Sequence, residues 1–392
     1  MNTVPHDKEN SAFRDWITQE LKPRALERQV RKRVFDQATA GIEFLPDVLD
    51  RQANQKEFSL AIWDYLEIAA SDERARNGRQ MLRRHRDLFN RIEKAFGVEP
   101  EIVTAIWGLE TGYGVVRGEV PTLSALATLA WRGARARYFE EELIAAFRLI
   151  QTRGCAPVAL RGSWAGAIGH GQFMPSSVID FAVDFDRDGI PDICGDDPTD
   201  ALASIANYLQ KHAWKKGQPW GLELRLPDGF DYALTGLDQI MPSRDLARMG
   251  VVAADGEPVP DYGPGSILLP AGARGVALFV LRNFHVITSY NKSEAYAIAI
   301  GHLSHRIVGG RPFHGTWPQQ DRVLTRDDIG EAQYLLTRAG FDTLGIDGLR
   351  GPNTLRAARN WQIAQRRLPD GYINEEMLAQ LRRKERGQGA DA

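Results

Sequence analysis

Cysteine is nearly absent from this chain: 392 residues contain two, Cys155 and Cys194. Two are too few for a disulfide-built fold, and neither sits in a metal or redox motif. A single bridge in an oxidising compartment and two unreactive thiols both stay open. Long apolar runs are missing as well, and none approaches the roughly 20 residues that a membrane-spanning helix needs. Nor does one sign of charge dominate. Lys and Arg number 49 against 51 Asp and Glu, for a net charge of −2, so nothing argues for nucleic acid or an anionic membrane as partner. The N-terminus, Met-Asn-Thr-Val-Pro-His-Asp-Lys-Glu-Asn, is polar and lacks a signal-peptide core, as expected of a mature form, a trimmed chain or a cytoplasmic protein. Internal repeats and low-complexity tracts are lacking too.

What is present is an ordinary globular composition, 43% hydrophobic and 26% charged, long enough for two or three domains. From about Ser11 to Phe96 the pattern is helical, with apolar residues every three or four positions at 13–20 and 80–95. Helices separated by Gly/Pro loops continue to about 215, at 123–131, 138–152 and 201–212. Between about 217 and 282 Pro and Gly become frequent, and 222–226 and 276–281 look like strands, a small β-rich insertion. Helical periodicity returns over 283–307. A Gly/Pro stretch, with a linker at 311–321, then leads to a compact unit of about three helices at 322–385.

The most informative feature is Ala-Ile-Trp-Gly-Leu-Glu110-Thr-Gly-Tyr113-Gly114, one carboxylate ending an apolar, helix-like run that breaks at two glycines. Burial there raises a carboxyl pKa, and a carboxyl protonated near neutral pH can donate to a leaving glycosidic oxygen. Moving a Glu from about 4.3 to roughly 6.3 costs about 2.7 kcal/mol, within the reach of an apolar pocket.

Three further clusters surround this acid in sequence. Ser163-Trp-Ala-Gly-Ala-Ile-Gly-His-Gly-Gln172-Phe173-Met-Pro-Ser-Ser177 is rich in glycines that let a backbone approach a ligand, with Ser163 and Gln172 for hydrogen bonding and Phe173 as an apolar wall; a tight helix-packing turn is the bland alternative. Asp184-Phe-Asp186-Arg-Asp188-Gly-Ile190-Pro-Asp192 places acids at positions 1, 3 and 5 and Gly at 6 of a calcium loop, with the Ile190 carbonyl at 7. Position 12 is Gly195 rather than Glu, so Asp200 is the favoured closing ligand, with Asp196 and Asp197 as rivals and a solvated acidic turn as the alternative. In the third cluster Tyr290, Asn291 and Tyr296 suit sugar faces and an acetamido group, although aromatics at this spacing, Tyr208 included, are more often core.

Together these motifs resemble the B-type lytic murein transglycosylases over about residues 13 to 310. The resemblance implies a mainly α fold: a lysozyme-like helical core at 98–310, preceded by an N-terminal helical part at 1–97, containing the EF-hand-like loop 184–200 and the β-rich insertion. It implies Glu110 as acid/base, Ser163 and Asn291 at the acetamido group, Gln172, Phe173, Tyr208, Tyr290 and Tyr296 along the substrate, and Asp184, Asp186, Asp188 and Asp200 around structural Ca2+. Arg135 matches one basic cleft position, whereas Ala134 replaces a neighbouring arginine. Markers in the last unit, Gln333, Leu336, Gly340, Asp347-Gly348, Thr354, Trp361-Gln362 and Asp370-Gly371, resemble a three-helix peptidoglycan-binding module, with Trp361 where Phe is usual; a small helical domain docking on the core is the alternative.

The activity implied is cleavage of the bond from N-acetylmuramic acid to N-acetylglucosamine in peptidoglycan, with a 1,6-anhydromuramoyl product, no organic cofactor and a periplasmic location. A monomer acting on glycan strands, with other cell-wall enzymes as further partners, is the expected state. The rivals are a hydrolytic muramidase on the same scaffold and a non-catalytic wall-binding scaffold.

Overall fold

A computed structural model describes residues 4–53, 60–154 and 156–388. The chain divides into two compact units that do not follow its linear order: Met1–Gln55 with Arg76–Lys211, and Lys56–Ala75 with His212–Ala392. The bridge considered between Cys155 and Cys194 falls outside the described residues, because Cys155 is not among them.

The first unit is helical and built around Pro100–Thr111. Val103, Ala105 and Ile106 of that helix are 0% exposed and Trp107 is 2% exposed. A helix apolar on every side must be central, and helices Arg86–Phe96 and Thr199–Lys211 pack against it. Each fully buried Ile or Leu here contributes about 1.5–3 kcal/mol. Helices Thr122–Arg132 and Ala136–Arg153 pair with each other and bury Leu126, Leu129 and Phe147. The N-terminal segment is tied to the first of these, since Ser124 Oγ and Thr128 Oγ1 accept the Glu43 and Leu45 N–H groups, each at 3.0 Å.

The second unit holds the β-rich insertion. Its five short strands are antiparallel, in the order Met241–Pro242, Pro264–Leu268, Ala277–Val280, Gly221–Arg225, Val252–Ala253. The central strands bury Ile267, Phe279 and Leu224 beneath Leu246 and Val251. The segment read as a linker is anchored, because Glu223 accepts the His314 and Gly315 N–H groups at 2.8 and 2.6 Å. The periodicity over 283–307 resolves into two helices, Arg282–Tyr290 and Glu294–Ile307. Asn291 between them is extended, and Ser293 caps the second helix by accepting the Tyr296 N–H.

Helices Arg326–Arg338, Pro352–Ala364 and Glu375–Gln388 form the C-terminal module around Leu336, Trp361 and Leu378. A capping box of Thr325 and Asp328 starts the first. Two buried glutamines then do the same task twice. Gln333 Oε1 accepts from Asp347 N and Gly348 N while its Nε2 donates to Asp347 Oδ1; Gln362 Oε1 accepts from Gly371 N while its Nε2 donates to Asp370 Oδ1. Each glutamine thus clamps an Asp-Gly turn, which is why Gln and Asp-Gly recur together as markers.

Candidate active site

Glu110 lies in the last turn of helix Pro100–Thr111 and is half-buried. The helix ends because Gly112, Tyr113 and Gly114 take left-handed conformations in succession, with φ of 58°, 65° and 86°. Holding a tyrosine there costs about 1–2 kcal/mol and needs support. That support is packing: a Cβ on Gly108 would lie 2.6 Å from the Tyr113 ring, so the ring occupies the space the glycine leaves. The Trp107 ring meets the same tyrosine edge-on at 5.7 Å.

The turn is pinned to the glycine-rich segment through His170. Thr111 Oγ1 donates to the His170 carbonyl at 2.9 Å and accepts from Gly114 N at 3.0 Å. Trp107 Nε1–H donates to His170 Nδ1 at 3.1 Å, which leaves the ring proton on Nε2 to donate to the Gly195 carbonyl at 2.8 Å. Burial keeps this imidazole below its ordinary pKa, in agreement with the neutral tautomer. Arg117 closes the assembly by donating to the Cys194 and Gly195 carbonyls and to Asp196 Oδ1. Thr111, Trp107, His170 and Arg117 carried no assignment from the sequence. All lie in or beside the quoted motifs, and a polar histidine between Gly169 and Gly171 was the available signal.

Beyond Glu110, strands Val120–Pro121 and Arg161–Gly162 pair, and bridges from Gly162 to Ile168 and from Ile168 to Phe173 extend them into a small β patch. Ser163 sits in its tight turn. Its Oγ accepts from Ala167 N at 3.1 Å, which leaves the hydroxyl proton for a ligand. Gln172 is strained, at φ 49°, and its Nε2 is spent on the Arg117 and Gly169 carbonyls, so Oε1 is the end left for a ligand. Phe173 is 3% exposed and Tyr208 8%; their rings lie 6.0 Å apart, and Phe181 meets Tyr208 edge-on at 4.6 Å. Burial pushes the Tyr208 phenol up to about 12. Arg135 is exposed and stacks on Tyr138 at 4.1 Å. Among buried side chains of this unit, Glu142 is a second carboxylate that the sequence did not suggest. Its oxygens accept from Ser176 N and Oγ at 3.0 and 2.7 Å, and burial raises its pKa.

In the acidic loop, carboxylate oxygens of Asp184, Asp186 and Asp188 lie within 4.8 Å of one another. Backbone N–H groups of the loop fold back on them, from Arg187 and Gly189 to Asp184, Asp188 to Asp186, and Ile190 to Asp188. An all-oxygen set of anions that still carries unused lone pairs suits a hard divalent cation. Asp200 lies outside that triplet. It is 3% exposed, and its oxygens accept the Phe185, Asp186 and Asp192 N–H groups, so it closes the loop through backbone.

Tyr290, Asn291 and Tyr296 belong to the second unit, at the junction of its two long helices. Asn291 is exposed and accepts the Ser293 N–H on Oδ1 at 3.0 Å, whereas Tyr296 is 4% exposed.

A family model for the transglycosylase SLT domain matches residues 12–305. The chain belongs to this family. A peptidoglycan binding domain model matches residues 325–381, the three-helix module. Membrane-bound lytic murein transglycosylase B of Escherichia coli (strain K12) is 36% identical over 248 residues, which span 61% of this chain and 65% of that relative's length. SltB3 from Pseudomonas aeruginosa, solved in complex with NAG-anhNAM-pentapeptide, is 40% identical with a TM-score of 0.90, covering 94% of this chain and 99% of that one. The Escherichia coli lytic transglycosylase Slt35, solved in complex with calcium, is 31% identical with a TM-score of 0.63, covering 76% of this chain and 93% of that one. The SLT transglycosylase fold accounts for the mainly α, lysozyme-like core and the small β insertion, and the peptidoglycan binding domain accounts for the appended module.

Proposed function

We propose that this chain is a peptidoglycan lytic transglycosylase that cleaves the MurNAc–GlcNAc β-1,4 bond and leaves a 1,6-anhydromuramoyl end. Glu110 protonates the bridging oxygen as positive charge develops at the muramoyl anomeric carbon. The substrate's 2-acetamido oxygen stabilises that charge, held by donors from Asn291 and Ser163. The ionised Glu110 then takes the C6 hydroxyl proton, and the C6 oxygen closes the anhydro ring on the same anomeric carbon. General acid–base catalysis of this kind contributes about 10²–10⁴-fold.

The observation that carries this reading is the half-buried Glu110 at a pinned helix end, within a chain of the SLT transglycosylase family. Paired-carboxylate hydrolysis needs a second acid near the first. The buried carboxylates among the described residues are Glu142 and Asp200, and both are committed, to Ser176 and to loop backbone. Donor availability supports the same reading. Asn291 has Oδ1 engaged by Ser293, and Ser163 has Oγ accepting from Ala167, so each side chain keeps hydrogen to donate to a ligand.

Calcium bound by Asp184, Asp186, Asp188 and the Ile190 carbonyl, with Asp200 closing the loop, would stiffen the segment behind the glycine-rich cluster. Its role is structural. Tyr113, Arg135, Gln172, Phe173, Tyr208, Tyr290 and Tyr296 are the further substrate positions, and the C-terminal module holds glycan strands. The enzyme acts in the periplasm, where its substrate lies, as a monomer. Mass spectrometry of digested sacculi is the test: anhydromuramoyl ends are expected, and reducing muramic acid ends would establish the muramidase instead.

A further inference from the structure

The end of the acidic loop and the end of the catalytic helix converge on one peptide group. Gly195 occupies position 12 of the loop, where a bidentate acid is usual, and offers its carbonyl to His170 Nε2 and to Arg117. Asp192 holds that peptide from the loop side, with Oδ1 accepting from Cys194 N and Gly195 N at 2.8 and 2.9 Å. Asp200 in turn accepts the Asp192 N–H at 2.9 Å and the Phe185 N–H at 2.7 Å, the latter beside Asp184. A continuous hydrogen-bonded path therefore runs from the acid triplet through Asp200, Asp192, Gly195 and His170 to Trp107, one helical turn before Glu110.

The backbone follows the same route. His170 N donates to the Ile193 carbonyl at 3.1 Å, and Thr111, next to Glu110, donates to the His170 carbonyl. The space around His170 is closed. A Cβ on Gly114 would lie 2.6 Å from its ring, and a Cβ on Gly169 would lie 2.3 Å from the Ile193 carbonyl. With the ring buried at 3% exposure and both of its nitrogens engaged, the imidazole couples a shift of Gly195 to the indole.

We propose that His170 is a positioning residue for Glu110, and that it ties the catalytic geometry to the order of loop 184–200 through the Gly195 carbonyl. The inference rests on Glu110 as the catalytic acid. Trp107 is the second element of the tie, and Arg117 is a parallel strap from the loop that follows the catalytic turn.

The test compares wild type, His170→Phe, His170→Gln and Trp107→Phe as full-length chains. Turnover of sacculi and thermal midpoint are both measured with excess chelator and with saturating calcium. A displacement of the acid by a fraction of an ångström lowers kcat by about 10–100-fold with KM within about twofold. His170→Phe is expected to show that split, and His170→Gln, which can accept and donate at one end, to recover part of it. Calcium is expected to raise the midpoint of wild type and of His170→Phe alike, but to raise kcat only where the tie is intact. Trp107→Phe, which keeps an aromatic ring and removes the N–H donor together with part of the indole, covers the case in which His170→Phe does not fold. The proposal is overturned if kcat of Trp107→Phe and His170→Phe matches wild type, if the loss falls in KM, or if calcium leaves wild-type kcat unchanged. Failure of the underlying assignment is separable: Glu110→Gln would then be as active as wild type.

Discussion

The Ser293 N–H donates to Asn291 Oδ1 at 3.0 Å, and this contact decides which end of the Asn291 amide meets a ligand. The carbonyl is engaged, so Nδ2 is the end left to donate to a ligand. Asn291→Asp replaces that donor with an acceptor, which the proposed contact with the acetamido oxygen does not tolerate. Kinetics on a defined muropeptide should show kcat lowered by about 10²-fold or more, the loss typical of removing one donor to developing charge. Equal kcat in the two forms would remove Asn291 from the reaction.

Glu110→Gln keeps shape and hydrogen bonding while removing the transferable proton. Turnover should fall by about 10²–10⁴-fold, the contribution of general acid–base catalysis. Because the C-terminal module lies far along the chain, at residues 325–381, sedimentation with sacculi should be retained. A silent wall-binding scaffold would show no change in either measurement.

The helical core was legible because its elements carry their own signals. The strands read at 222–226 and 276–281 occur as Gly221–Arg225 and Ala277–Val280, each bounded by the turn residues that marked it. The place of Glu110 at a helix end was legible because an apolar helix closed by glycines can be read locally. What escaped were facts held by distance. The break at Asn291 comes from a Ser293 cap hidden inside a continuous 3.6-residue rhythm. The membership of residues 56–75 in the second unit, and the bond from Trp107 to His170 across 63 positions, exist only once the chain has folded. Periodicity also cannot tell a binding wall from a core, so the 3% exposure of Phe173 had no counterpart in sequence.

Chelation tests the acidic loop. A ligand bound only by the folded state adds about 2.7 kcal/mol at a concentration 100 times its Kd. Calcium should therefore raise the thermal midpoint, chelator should reverse it, and Asp186→Asn, which removes one anion from the triplet, should shrink the shift. Magnesium, which demands near-octahedral geometry at shorter distances, should be a poor substitute. A midpoint indifferent to calcium would leave the loop as an acidic turn.

Phe173 and Tyr208, proposed along the substrate, also bury their rings against each other and against Phe181. Truncating such a ring leaves a cavity, and Phe173→Ala should cost about 3–5 kcal/mol of stability in denaturant melts. Because Phe173 is a proposed substrate position, the truncation should also raise KM measured on folded molecules. An unchanged KM with lowered stability would leave the ring as scaffold alone.

Glu142 gives a pH prediction with a definite sign. Burial raises its carboxyl pKa above the ordinary value of 4.5, because the charged form loses water that two hydrogen bonds from Ser176 only partly replace. A folded-state pKa above the unfolded one means that the unfolded chain releases the proton first. The contribution of Glu142 to stability is then full below the unfolded pKa and is lost as pH rises through the folded one. Glu142→Gln cannot ionise, and its Oε1 can still accept the Ser176 N–H. Relative to wild type it should therefore gain stability as pH climbs from about 4 toward neutrality, read as a growing difference in urea midpoint with unchanged slope. A difference that stays flat, or that shrinks with pH, would mean that Ser176 stabilises the carboxylate by more than burial penalises it.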